Sequence, residues 1–134
     1  MDAWDSPYKS KQGNIGLGQA IAYYTYFGIP VCLPLNDTQK YDLIIDKDNT
    51  LYRVSVKTTQ FKERNKFVVA LKNSGGSSGN AVIRNFDNTS CDIVFVYTKD
   101  GSMYEIPSKD IKTKTAITLG TNYEKYKVFY QNNY

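Results

Sequence analysis

The chain has 134 residues, of which 41% are apolar and 22% charged, a balance that excludes a disordered polymer and fits one globular domain able to bury its own core. Seventeen Lys and Arg against thirteen Asp and Glu leave a net charge of +4, which permits nucleic-acid binding without demanding it. There is no histidine, and Cys32 and Cys91 form no CxxC pair, so Ser-His-Asp and Cys-His chemistry and a structural zinc site are excluded. Both cysteines sit in apolar runs and are expected as buried free thiols. The first residues lack the apolar core of a secretory signal, and no run approaches the ~20 apolar residues of a membrane span. An intracellular protein without membrane contact is expected, and the many Tyr, Asn and Lys residues suit a phage or mobile-element product.

Residues 1–12 are polar and read as an N-terminal loop or arm, followed by a single domain over residues 13–134. Residues 14–27 carry helical spacing, with Leu17, Ile21 and Tyr24 on one side beside Ala20 and Phe27. Asn14 is the expected N-cap and Gly28 the C-cap. Gly16 and Gly18 weaken the helix and point to close packing of its first turns against a sheet. Residues 29–34 read as a first strand, 41–46 as a second and 51–58 as a third. The turn Lys47-Asp48-Asn49 makes the latter two an antiparallel hairpin, with Leu51, Arg53, Ser55 and Lys57 on one face of its second strand.

Residues 66–71 form another strand, 73–80 a Gly/Ser-rich loop, and 92–97 an apolar strand suited to the centre of a sheet. A further strand follows at 103–106, stopped by Pro107, and Ser108 is placed to cap a helical turn at 109–112. The segment 116–119 is apolar but carries no clear period. One helix followed by strands gives a mixed α+β, or α/β, class with an N-terminal helix packed on a mixed, mainly antiparallel sheet.

The chemistry concentrates at Asp42 and at Ser55-Val56-Lys57. An acid at the start of one hairpin strand and two same-face side chains on the next converge on one point. Phosphodiester cleavage needs such a convergence: carboxylates to hold a divalent ion, and a cation to help orient water and offset developing charge. Each residue taken singly also reads as an ordinary strand or turn residue.

The stretches Lys11-Gln12-Gly13-Asn14-Ile15-Gly16, Gly28-Ile29-Pro30-Val31, Pro34-Leu35-Asn36-Asp37, Tyr41-Asp42-Leu43-Ile44-Ile45 and Leu51 to Thr58 add a specific resemblance, continued in Cys91 to Tyr97 and Tyr104-Glu105-Ile106-Pro107. In order and spacing the chain resembles the small PD-(D/E)XK endonucleases related to group I intron homing enzymes and, more distantly, archaeal Holliday junction resolvases. The resemblance implies a restriction-endonuclease-like core. It implies Asp42 as the metal-binding aspartate, Lys57 as the catalytic lysine, the Val56 carbonyl as a further metal ligand, and Mg²⁺ or Mn²⁺ as cofactor. It also implies DNA as partner and a dimer or tetramer, for which Tyr23, Tyr24, Tyr26 and Phe27 offer more aromatic surface than one helix face buries.

Two positions depart from the family. Ser55 stands where Glu or Gln is usual, and Leu17 where the first helix usually carries Glu. Gln19, two residues on, is turned ~200° away. Asp46, Asp37 and Glu63 are the remaining replacement acids, and Asp46 lies about 13 Å along its strand from Asp42 at ~3.3 Å per residue. The departures keep open a second reading, a degenerate nuclease fold that binds nucleic acid or blocks a protein in an anti-defence role. Lys9, Lys11 and Gln12 ahead of the helix, Thr58, Thr59, Gln60, Lys62, Arg64 and Lys66 after the Lys57 strand, and Arg84 are the candidate nucleic-acid contacts.

Overall fold

Alternation of side chains along two neighbouring segments builds the hairpin from which the fold grows. The structure is a computed structural model that describes residues 1–75 and 82–129. It holds helix α1 (Lys9–Tyr26) and strands β1 (Val31–Cys32), β2 (Leu43–Lys47), β3 (Thr50–Thr59), β4 (Lys62–Glu63) and β5 (Lys66–Ala70). Then follow β6 (Asn73–Gly75), β7 (Val82–Arg84), β8 (Ile93–Thr98), β9 (Met103–Pro107), β10 (Ala116–Thr118) and β11 (Lys127–Val128), with short 3-10 turns between some of them.

The main sheet runs β1-β2-β3-β8-β9-β11. β2 and β3 pair antiparallel from Leu43↔Val54 to Lys47↔Thr50, as their alternation and turn predict. Asp48 and Asn49 close that hairpin at φ 53° and 64°, a left-handed conformation that Asp and Asn tolerate. β8 lies parallel to β3, from Val54↔Ile93 to Thr59↔Thr98, and antiparallel to β9. Its Val94, Phe95 and Val96 are fully buried, as expected of a central strand covered on both faces.

Period-2 alternation gives the sheet two different faces. Leu43, Ile45, Val54, Phe95 and Met103 meet α1 through Ala20 and Tyr24. On the opposite face, Val94, Val96, Tyr104 and Ile106 pack with Val69, Leu71, Phe86, Ile111, Ile117 and Leu119. The second layer is a small sheet, β10-β5-β4. Among the described residues no helix is long and apolar enough to cross a membrane.

Several boundaries differ from the sequence reading. The helix begins at Lys9, with Tyr8 rather than Asn14 at its N-cap. Tertiary contacts outweigh the helix-weakening glycines: the Gln12 amide donates to the carbonyls of Ser6 (3.0 Å) and Trp4 (3.5 Å), and Trp4 stacks on Tyr97. Residues 2–5, read as loop, form a 3-10 turn capped by Asp2. β1 shrinks to Val31–Cys32 because Pro30 and Pro34 flank it without N–H donors. Cys32 on this edge strand is exposed, contrary to expectation, whereas Cys91 is buried. Phe27, placed on the packed side of the helix, is exposed.

Ser108 lies inside the 3-10 turn Ser108–Asp110 and does not cap it. Its hydroxyl donates to the carbonyls of Cys91 (2.5 Å) and Asn88 (2.9 Å). Ala116–Thr118 is a strand paired with β5. The Gly/Ser-rich loop begins with strand β6, paired with β7, and the rest of that segment lies outside the described residues.

Candidate active site

β2 starts at Leu43, so beyond that residue β3 has no strand partner on this side. Asp42 takes over. Its N–H donates to the Val54 carbonyl at 2.8 Å, and its carboxylate Oδ2 accepts the Val56 N–H at 2.6 Å. A strand N–H that would otherwise lack a partner thus fixes the carboxylate on β3, level with Ser55-Val56-Lys57. Ser55 and Lys57 pair with Val94 and Val96, whose side chains share one face of the parallel ladder. Ser55 is buried, only 5% exposed.

Lys57 is partly buried on the same face. Burial lowers its ammonium pKa from the ordinary lysine value, while the Asp42 carboxylate, and to a smaller degree Cys91, pull the other way. Asp42 is therefore held against Val56 and within electrostatic reach of Lys57, and Ser55 lies on the Lys57 face of the strand. Cys91, absent from the sequence reading of the site, is close enough for Lys57 to feel it. Burial raises its thiol pKa, opposed first by the Ser108 hydroxyl. A lone cysteine between Ser90 and Asp92 carries no spacing signal that points to the site.

The other helix and strand positions have structural tasks. Leu17, at the position of the missing helix acid, packs against the cluster beneath α1. Gly16 meets β3: a Cβ there would overlap the Thr58 hydroxyl and lie 3.2 Å from Thr58 Cβ. The Thr59 hydroxyl is buried and donates to the Val68 carbonyl at 2.6 Å. Gln60 donates at 3.0 Å to the Trp4 carbonyl that Gln12 also reaches. Thr59, Gln60 and Gln12 thus commit side-chain donors to the protein's own backbone.

Lys9 and Lys11 are exposed on the first turn of α1 rather than ahead of it, with Lys11 Nζ 5.8 Å from the Tyr8 ring centre. Arg84 is exposed at the end of β7, paired in the ladder with Asn73. Lys62, Arg64 and Lys66 are all exposed on the β4–β5 hairpin, which continues from the end of β3.

A magnesium-like ion takes oxygen ligands, keeps several waters, and is commonly held by one or two carboxylates plus substrate phosphate. Here one carboxylate faces the constellation, with one of its oxygens bonded to Val56, and Ser55 replaces the second acid. Asp37, Asp46 and Glu63 are exposed, and no group of three or more His, Cys, Asp or Glu side chains among the described residues is arranged to hold a metal. This donor set fits an open half-site completed by water and phosphate, not a closed protein cage.

A helix on a mixed sheet, with an aspartate and a Ser-Val-Lys strand meeting at its centre, defines a nuclease-type core. The chain matches the PD-(D/E)XK endonuclease family over residues 8–134 and belongs to it. Its fold is similar to the solved structure of a bacterial homing endonuclease, I-Ssp6803I, with a TM-score of 0.72 and 25% identity over 87% of this chain and 80% of that one. A comparison with curated protein sequences gives no match.

Proposed function

We propose that the chain is a DNA endonuclease that hydrolyses phosphodiester bonds with the help of Mg²⁺ or Mn²⁺. The observation that supports this is the carboxylate of Asp42 fixed by the Val56 N–H on the strand that carries Lys57. Asp42 and the Val56 carbonyl would hold the cation. Such an ion polarises a phosphate oxygen and activates water. Lys57 sets a positive charge beside the place where negative charge develops on the phosphate. Burial also lowers its pKa from the ordinary lysine value, against the pull of the Asp42 carboxylate. Ser55 offers a hydroxyl in place of the second carboxylate. Two antiparallel strands need two sites, so a dimer or tetramer is part of this reading.

The single carboxylate and buried Ser55 favour one second reading, a degenerate fold that binds nucleic acid or a protein without cutting. The deciding experiment offers plasmid, hairpin and branched DNA to the protein with Mg²⁺ or Mn²⁺, beside Asp42→Ala and Lys57→Ala. We expect cleavage by the unmodified protein and a loss of at least ~100-fold in each variant. Failure of the unmodified protein to cut any substrate would discard the enzyme reading in favour of the binding one.

A further inference from the structure

We propose that the β4–β5 hairpin enters the major groove of DNA and that Arg64 at its tip reads guanine. The proposal rests on the DNA-cleaving reading above and adds the element that selects sequence. The first observation is a contrast between two turns of one geometry. Both hairpins close with two residues in the left-handed region: Asp48 and Asn49 at φ 53° and 64°, Arg64 and Asn65 at φ 50° and 67°. Asp, Asn and Gly suit that conformation, whereas a long side chain such as Arg carries a steric penalty in it. At the β2–β3 turn the sequence meets the demand of the backbone. At the β4–β5 turn it keeps an arginine against that demand.

The second observation is what the three basic side chains touch. Lys62 Nζ lies 4.7 Å from the Phe67 ring centre, and the Lys66 side chain runs past Gly120. Arg64 is exposed and makes no ion pair or hydrogen bond among the described residues, so its fork of donors is open to a partner from outside the chain. β5 is also paired with β10, so the part offered to the major groove is the hairpin tip at residues 62–66, where a guanidinium pairs in bidentate fashion with guanine O6 and N7. Exposed Lys62, Arg64 and Lys66 outnumber the one exposed acid of the tip, Glu63, so the tip keeps a positive balance for phosphate contacts beside exposed Phe61.

Position sets the reach. Arg64 follows Lys57 by seven positions, a backbone contour of at most ~23 Å at ~3.3 Å per residue. With ~3.4 Å between successive base pairs, that backbone contour spans about seven base pairs, and the reach of the two long side chains widens the window for the guanine to about ten base pairs from the cut phosphate.

The test is selection from a randomised duplex library with the full chain, run in parallel with Arg64→Asn and Arg64→Lys. The unmodified protein should enrich a motif with a G·C pair in that window. Both variants should lose discrimination at that pair by roughly 5- to 150-fold. Arg64→Asn should also raise Tm by a few degrees because the turn relaxes, which shows that the variant folds. Arg64→Lys keeps the charge but not the fork, so it separates base reading from plain attraction. The same motif from all three proteins, or a motif without guanine in the window, overturns the assignment while leaving the nuclease reading intact. Absence of any DNA binding by the unmodified protein removes both.

Discussion

Lys57 makes stability depend on pH at a single side chain. Its pKa is lowered in the folded protein, chiefly by burial. Between that lowered value and the ordinary lysine value of 10.5, the unfolded chain holds a proton that the folded chain has released. Unfolding therefore becomes harder as pH rises through this window, and below it the folded state carries the full desolvation cost of the charge. Lys57→Met removes the titration. Denaturant midpoints from neutral pH up to 10.5 should show the unmodified protein gaining stability relative to the variant as pH rises. Parallel curves would show that Lys57 is not buried as described. Asp42 and Lys57 were legible in the sequence because a hairpin fixes local geometry through register alone. The use of the Asp42 carboxylate to satisfy the Val56 N–H was not, since it depends on where β2 stops pairing, and residue types do not mark that point.

At the scale of elements, α1 rests on β3 through a surface with no spare room at Gly16 and with open space at Gly18. The two glycines predict opposite outcomes. Gly16→Ala drives a methyl into Thr58 and should cost about 1–3 kcal/mol. Gly18→Ala meets nothing within 4 Å and should gain roughly 0.5–1 kcal/mol from helix propensity. Urea unfolding of the pair checks both signs, and equal effects would contradict the described seating of the helix. The sequence reading anticipated close packing at these glycines but could not tell them apart, because facing residues on β3 and β8 are distant in the chain. The same distance hid the early start of α1: Lys9–Gln12 look polar, and their anchoring comes from Gln12 bonded to Ser6 and Trp4, with Trp4 held by Gln60 and Tyr97. β10 was missed as a strand for a related reason, since its partner β5 lies more than forty residues earlier, at Ala116↔Ala70.

For the molecule as a whole, a net charge of +4 is modest, so placement of charge matters more than its sum. Lys62 and Arg64 project from the hairpin that follows the Lys57 strand. Reversal of both, as Lys62→Glu with Arg64→Glu, should weaken DNA binding and reduce the slope of log affinity against log salt by about 0.9 for each phosphate no longer neutralised. An unchanged slope would place the duplex on another surface. The overall class was readable because one helical period followed by alternating strands leaves few architectures, and the order of the motifs pointed to one of them. The second sheet was not readable, since nothing local announces that β5 and β10 cover the face opposite α1.

The parallel pairing of β3 with β8 carries a consequence for how the chain reaches its native state. Val54 and Ile93 are neighbours across the ladder yet 39 positions apart, and this pair joins the two halves of the central sheet. The β2–β3 hairpin can close within microseconds, but its β8-facing edge waits for a long loop to come round. During synthesis that edge stays open until the ribosome has released residues beyond Thr98. In this interval the half-built sheet is the species most exposed to misassociation. Pairing across so long a loop is slow beside local helix formation, so folding rate is expected to follow the meeting of distant strands.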